Sequence, residues 1–151
     1  MPALLQAPAK APLFTLSNQD NQPVALSDLL HKGPVVVFFY PKDESTICTK
    51  EACAFRDSFS VFQDMGASVV GISGDSVASH RKFADKHGFS FLLLSDADNA
   101  VRKAYGVANT LFVLPGRATF VIGQDGHIKL SFSAALAAQH HVDQALQALR
   151  A

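Results

Sequence analysis

Short unbroken apolar runs alternate along this chain with stretches in which apolar residues recur every three or four positions. The run Val35-Val36-Val37-Phe38-Phe39-Tyr40 is β-branched and aromatic, the pattern of a central strand buried on both faces. From residue 49 to 65 there is no Pro or Gly, and Ala52, Phe55, Phe59 and Phe62 fall at helical spacing before Gly66 stops the pattern. A second buried strand is predicted at Ser68-Val69-Val70-Gly71-Ile72-Ser73. A helix with a Ser or Asp cap follows over 76–87, closed by Gly88. A short strand at 91–94 and a short helix at 98–105 come next. Two strands, 119–122 and 127–132, then flank Gly123-Gln124-Asp125-Gly126, an Asp-Gly hairpin signal. A last helix over 137–149 carries Val142, Ala145, Leu146 and Leu149 on one face.

The first 34 residues hold five of the seven prolines and many turn formers. They predict an irregular N-terminal extension, with a hairpin around Asn18 to Gln22 and a helical turn from Ser27 that Gly33-Pro34 ends. Strand and helix alternate after that and a hairpin and helix close the chain, so the fold class is α/β with a mixed sheet flanked by helices. At 151 residues, without repeats or a linker, a single domain over 1–151 is expected.

Composition removes several function classes. Thirteen basic residues balance thirteen acidic ones, and no run of like charges stands out. Neither nucleic acid nor an anionic membrane is therefore an expected partner. No apolar stretch approaches the ~20 residues of a membrane span, and the N-terminus lacks a signal-peptide pattern. The cytosol is the expected compartment, where thiols stay reduced and two cysteines read as reactive or incidental.

The chemistry concentrates between Tyr40 and Cys53. A buried strand ends at Pro41, a polar loop follows, and a helix begins near 45–48. Cys48 thereby sits in a first helical turn at the carboxyl end of a central strand, where ligand sites of open α/β sheets collect. Free N–H groups and the helix dipole favour an anion there and lower a thiol's pKa, and the thiolate is the nucleophile. Ser45 lies within hydrogen-bonding reach of the sulfur or of a bound oxygen, and Pro41 fixes the loop's direction. Cys48 as an inert buried residue is the competing reading.

Pro41, Ser45 and Cys48 match Pro-x-x-x-Thr/Ser-x-x-Cys, and the chain here resembles the peroxiredoxins. Phe39-Tyr40-Pro41-Lys42-Asp43 and Cys48-Thr49-Lys50-Glu51-Ala52-Cys53-Ala54-Phe55-Arg56-Asp57 are similar to the bacterioferritin-comigratory-protein, or peroxiredoxin Q, branch. Ala11-Pro12-Leu13-Phe14, Val70-Gly71-Ile72-Ser73 and Arg117-Ala118-Thr119-Phe120-Val121-Ile122 extend the likeness over most of the chain. Two places depart from it. Thr46-Ile47 stands where relatives usually have Pro-Gly or Ser-Gly, and Ala118 where Ser is usual.

The resemblance implies a thioredoxin-like fold and a thiol peroxidase with Cys48 as the peroxidatic residue. It also implies an active-site role for Ser45 and Arg117, a thioredoxin- or glutaredoxin-type reductant, and a monomer. Arg117 suits that role because a guanidinium stays charged, lowers a neighbouring thiol's pKa and binds developing negative charge. Arg56 is placed either near the same face or in solvent. No cofactor or metal is expected.

A sulfenic acid on Cys48 needs a second thiol, and Cys53 is the other cysteine. Five helical residues separate the two by a rise of ~7.5 Å, beyond what a disulfide's Cα spacing and converging Cβ vectors allow. An intramolecular Cys48–Cys53 disulfide therefore requires the first turns of the helix to unwind. The Cys-x4-Cys spacing also matches a peroxiredoxin Q subgroup. If Cys53 is simply packed beside Phe55 and Phe59, an outside thiol resolves Cys48.

Two other classes compete. A Cys/His hydrolase would need a paired histidine, but His31, His80, His87 and His127 are expected at the surface. A zinc site from Cys48, Cys53 and His140-His141 lacks metal-ligand spacing, and both histidines of that pair are expected to face solvent.

Overall fold

In the computed structural model the described residues are 4–43, 46–107, 109–110, 114–115, 117–133 and 138–150, without the side chains of 46–48, 109–110, 114–115 and 138. The elements run β1 (Thr15–Ser17), β2 (Pro23–Ala25), α1 (Leu26–Lys32), β3 (Val35–Phe39), α2 (Thr46–Asp57) and α3 (Phe59–Asp64). They continue with β4 (Ser68–Ser73), α4 (Val77–His87), β5 (Leu92–Ser95), α5 (Ala100–Ala104), β6 (Asn109–Thr110) and β7 (Leu114–Pro115). β8 (Ala118–Ile122), β9 (Ile128–Ser133) and α6 (Ala138–Arg150) complete the chain.

Seven strands form one mixed sheet in the order β2-β1-β5-β4-β3-β8-β9, and β6 pairs with β7 apart from it. β3 lies parallel to β4 and antiparallel to β8. Its position explains its composition, since every residue from Val35 to Phe39 is fully buried. Val35, Val37 and Phe39 pack with Phe14, Leu26, Tyr105 and Phe120 on one face. Val36, Phe38 and Tyr40 pack on the other with Phe55, Phe62, Phe83, Val142 and Ala145. The Phe38 and Phe55 rings stack at a centroid distance of 4.5 Å, which fixes α2 across β3.

Local signals locate most boundaries. Ser76 caps α4 by accepting from the Ser79 N–H, and Gly88 closes that helix in the left-handed conformation. Gly33 permits a close approach, because a Cβ there would meet the Gly66 carbonyl oxygen at 2.2 Å. The N-terminal hairpin is held by the Asn18 side chain, which accepts from the Asp20 and Gln22 N–H groups.

One expectation changes. The single helix over 49–65 is two, α2 and α3, divided at Ser58, whose φ of −100° and ψ of 5° leave the helical region. The break lets Phe55 and Phe62 both reach the core, with their rings 5.7 Å apart. α2 also begins at Thr46, so Cys48 is its third residue.

Candidate active site

β3 delivers the chain to the carboxyl edge of the sheet at Tyr40, and the segment 41–43 is then clasped from four sides. The Tyr40 hydroxyl donates to Asp43 Oδ1 at 2.6 Å. The Ser79 hydroxyl donates to Asp43 Oδ2 at 2.8 Å, and His80 Nδ1 lies 2.7 Å from the same oxygen. The backbone N–H of Asp43 donates to Asp75 Oδ2 at 2.7 Å, which also accepts from Ser73 Oγ. His80 Nε2 reaches the Leu94 carbonyl oxygen at 3.0 Å. The ring therefore faces an acceptor at each nitrogen and bridges the loop to β5.

Asp43 and His80 are almost wholly buried, so these are hydrogen bonds of the kind whose loss leaves an expensive orphan. Burial, reinforced by the charge of Asp43 and the hydrogen bond to it, pushes the Tyr40 hydroxyl well above its ordinary pKa and keeps it a donor. His80 is thus not at the surface. It sits on the inner face of α4, where an apolar stripe containing Phe83 and Ala84 carries it inward.

A second buried polar cluster lies between α2, β8 and α6. Phe39 pairs with Ala118, so Arg117 stands at the same carboxyl edge as the 41–43 loop. Its guanidinium is buried, with Nη1 3.6 Å from Glu51 Oε1. Glu51 Oε2 lies 3.4 Å from His141 Nε2, and His141 Nδ1 is 2.7 Å from the Thr119 hydroxyl. The edge of Phe132 packs on the His141 ring. Among the described residues no hydrogen bond reaches either Glu51 oxygen. Burial raises the Glu51 carboxyl to about 8, against the opposing pull of Arg117.

Glu51 is one turn beyond Cys48 on α2, so the Glu51–Arg117 contact brings Arg117 to the first turns of that helix. Pro41, half-buried, opens the clasped loop. Ser45 falls outside the described residues. Cys53, on the same unbroken helix as Cys48, is a half-buried free thiol packed beside the Phe55 cluster. Burial and Asp57 push its pKa up, against Arg56. Arg56 turns away from this edge, donating from Nη1 to the His87 carbonyl at 2.7 Å.

Sequence reasoning missed Glu51, Asp43 and His141 as site residues. Of the pair expected in solvent, His140 is exposed and His141 is fully buried. Glu51 carried no signal beyond its place three residues after Cys48.

Residues 8–131 match the AhpC/TSA family, and the chain belongs to that family, the peroxiredoxins, which are thiol peroxidases on a thioredoxin-like fold. It is 50% identical over 140 residues to the chloroplastic peroxiredoxin Q of Sedum lineare, covering 92% of this chain and 75% of that one. Chloroplastic peroxiredoxin Q of Populus jackii is 48% identical over 146 residues, 96% of this chain and 67% of that one. Among solved structures, peroxidoxin BcpB of Mycobacterium tuberculosis superposes with a TM-score of 0.90 at 41% identity, over 97% of both chains. The bacterioferritin comigratory protein of Xanthomonas campestris, described for alkyl peroxide reduction, gives 0.82 at 31% identity over 99% and 98%. Within the family the branch is that of peroxiredoxin Q and the bacterioferritin comigratory proteins.

Proposed function

We propose that this peroxiredoxin reduces hydrogen peroxide and organic hydroperoxides through Cys48, resolves the product with Cys53, and is recycled by a thioredoxin- or glutaredoxin-type dithiol. The observation that carries this reading is the 3.6 Å contact of buried Arg117 with Glu51, one helical turn from Cys48 at the mouth of β3. A thiolate at that helix start is favoured by the dipole and by the guanidinium that the Glu51 contact brings to the same helical turns.

The Cys48 thiolate attacks one peroxide oxygen, the O–O bond breaks, and the leaving alkoxide or hydroxide takes a proton. Arg117 stabilises the charge that develops on the leaving oxygen, and Ser45 supplies a hydrogen bond at the reacting atoms. Pro41, with the clasp on Asp43 behind it, fixes the direction in which the chain leaves β3 towards α2. Cys48 is left as a sulfenic acid. The Cys53 thiol then attacks that sulfur, forming the disulfide and releasing water.

Both cysteines lie on α2, so resolution requires its first turns to unwind. The raised Cys53 pKa fits a thiol held in reserve while the helix is folded. Because the two thiols share one helix, a single chain completes the cycle, and the monomer is the working unit. Peptide mapping after one equivalent of peroxide tests the resolving step. A Cys48–Cys53 crosslinked peptide is expected in wild type, with Cys53→Ser retaining the first oxidation and losing thioredoxin-coupled turnover. A lasting sulfenic acid or a disulfide-linked dimer in wild type would overturn it.

A further inference from the structure

Glu51 is an unusual group to find at the base of a helix that has to open. It is fully buried, its oxygens receive no hydrogen bond among the described residues, and it is held only at ion-pair distances. The charged and titratable groups facing it among the described residues are Arg117, just ahead of β8, and His141 of α6. On its own helix, Cys48 lies one turn back. His141 is anchored at its other nitrogen by Thr119 of β8 and packed by Phe132 of β9, so it belongs to the immobile side of the junction.

We propose that His141 is a positioning residue for the peroxidase cycle: through Glu51 it latches the first turns of α2 in the folded, peroxide-reactive form, and the latch opens with loss of one proton. The inference rests on the reading that α2 unwinds to let Cys53 reach Cys48.

The proton follows from the geometry. A carboxyl and an imidazole facing each other at 3.4 Å out of water retain one proton between them, whichever atom carries it. Burial of Glu51 acts in the same direction, raising its carboxyl to about 8. When α2 unwinds, Glu51 enters water and returns to the ordinary carboxylate range, while His141 stays on α6 facing the gap. The pair that held the proton is then broken. Opening therefore releases a proton below about 8 and becomes easier as pH rises towards that value. A peroxiredoxin built this way holds its reactive form more firmly in acid and resolves more readily in mild alkali.

Amide hydrogen exchange along α2 in the reduced protein, from pH 5 to 9 and corrected for intrinsic exchange, reads the opening equilibrium without thiol chemistry. In wild type the opening constant should rise with pH, by up to about tenfold per unit, and level off above about 8. Glu51→Gln, a neutral near-isostere, should abolish the slope. His141→Gln removes the 3.4 Å contact and should raise the opening constant throughout that range. A flat wild-type profile, or an unchanged slope in Glu51→Gln, would overturn the proposal. A His141→Gln profile that coincides with wild type would remove His141 from it. If peptide mapping finds no Cys48–Cys53 disulfide, the resolving step fails, and the exchange slopes still decide the latch.

Discussion

Two buried polar clusters flank the carboxyl edge of β3, and they are built on opposite principles. Around Asp43, three donors converge on one carboxylate at 2.6 to 2.8 Å and a fourth contact fixes its backbone. Around Glu51, an equally buried carboxyl meets its partners only at 3.4 and 3.6 Å. A fully hydrogen-bonded network in low dielectric is rigid, and one held by longer-range attraction gives way more easily. The tight cluster secures the loop that leads from β3 to α2. The loose one holds the helix that the proposed resolving step requires to open.

The comparison can be broken most severely at Asp43. Asp43→Ala strips the buried Tyr40 and His80 donors, and half-buried Ser79, of their common acceptor. It should cost about 3–5 kcal/mol, a fall in Tm on the order of 10 °C for a chain of this size. A loss under about 2 °C would mean that the clasp is not holding the loop.

Tyr40→Phe removes a single donor to that carboxylate and should cost about 2 kcal/mol in urea unfolding. A cost near zero would show that the hydroxyl is replaced by water.

Glu51→Gln should separate the clusters by pH. The folded carboxyl lies near 8 against an ordinary 4.5, so folding binds an extra proton and Glu51 subtracts stability as pH climbs through that window. The variant should gain on wild type by up to about 1.4 kcal/mol per pH unit between pH 6 and 8, measured by urea midpoints. An equal difference at both pH values would contradict the buried neutral acid.

Arg56→Ala, at the far end of α2, should change stability by less than about 1 kcal/mol and leave peroxide reactivity intact. A large drop in peroxide rate would place Arg56 back at the reacting edge.

Much of the scaffold was legible in the sequence because its signals are local. β3 announced itself by six consecutive apolar residues, α4 by its Ser76 cap and Gly88 stop, and the β8–β9 hairpin by Asp125-Gly126. The α2–α3 break was not legible, because Phe55, Phe59 and Phe62 keep helical spacing straight through Ser58. Cys48 and Arg117 were singled out by their place at a strand mouth and by family resemblance. The partners were harder to find. His80 and His141 each sit on a helix whose apolar stripe turns them inward, yet their acceptors come from other elements. Asp43 looked like any loop acid, and only the fold brings Tyr40, Ser79 and His80 to it.

The central claim, that Cys48 is the reacting nucleophile, is tested most directly by stopped-flow consumption of hydrogen peroxide by the fully reduced protein. Wild type should show fast second-order loss of peroxide, with one equivalent consumed per Cys48. Cys48→Ser should be reduced to the uncatalysed background while remaining folded. Undiminished consumption by Cys48→Ser would contradict the account at its root.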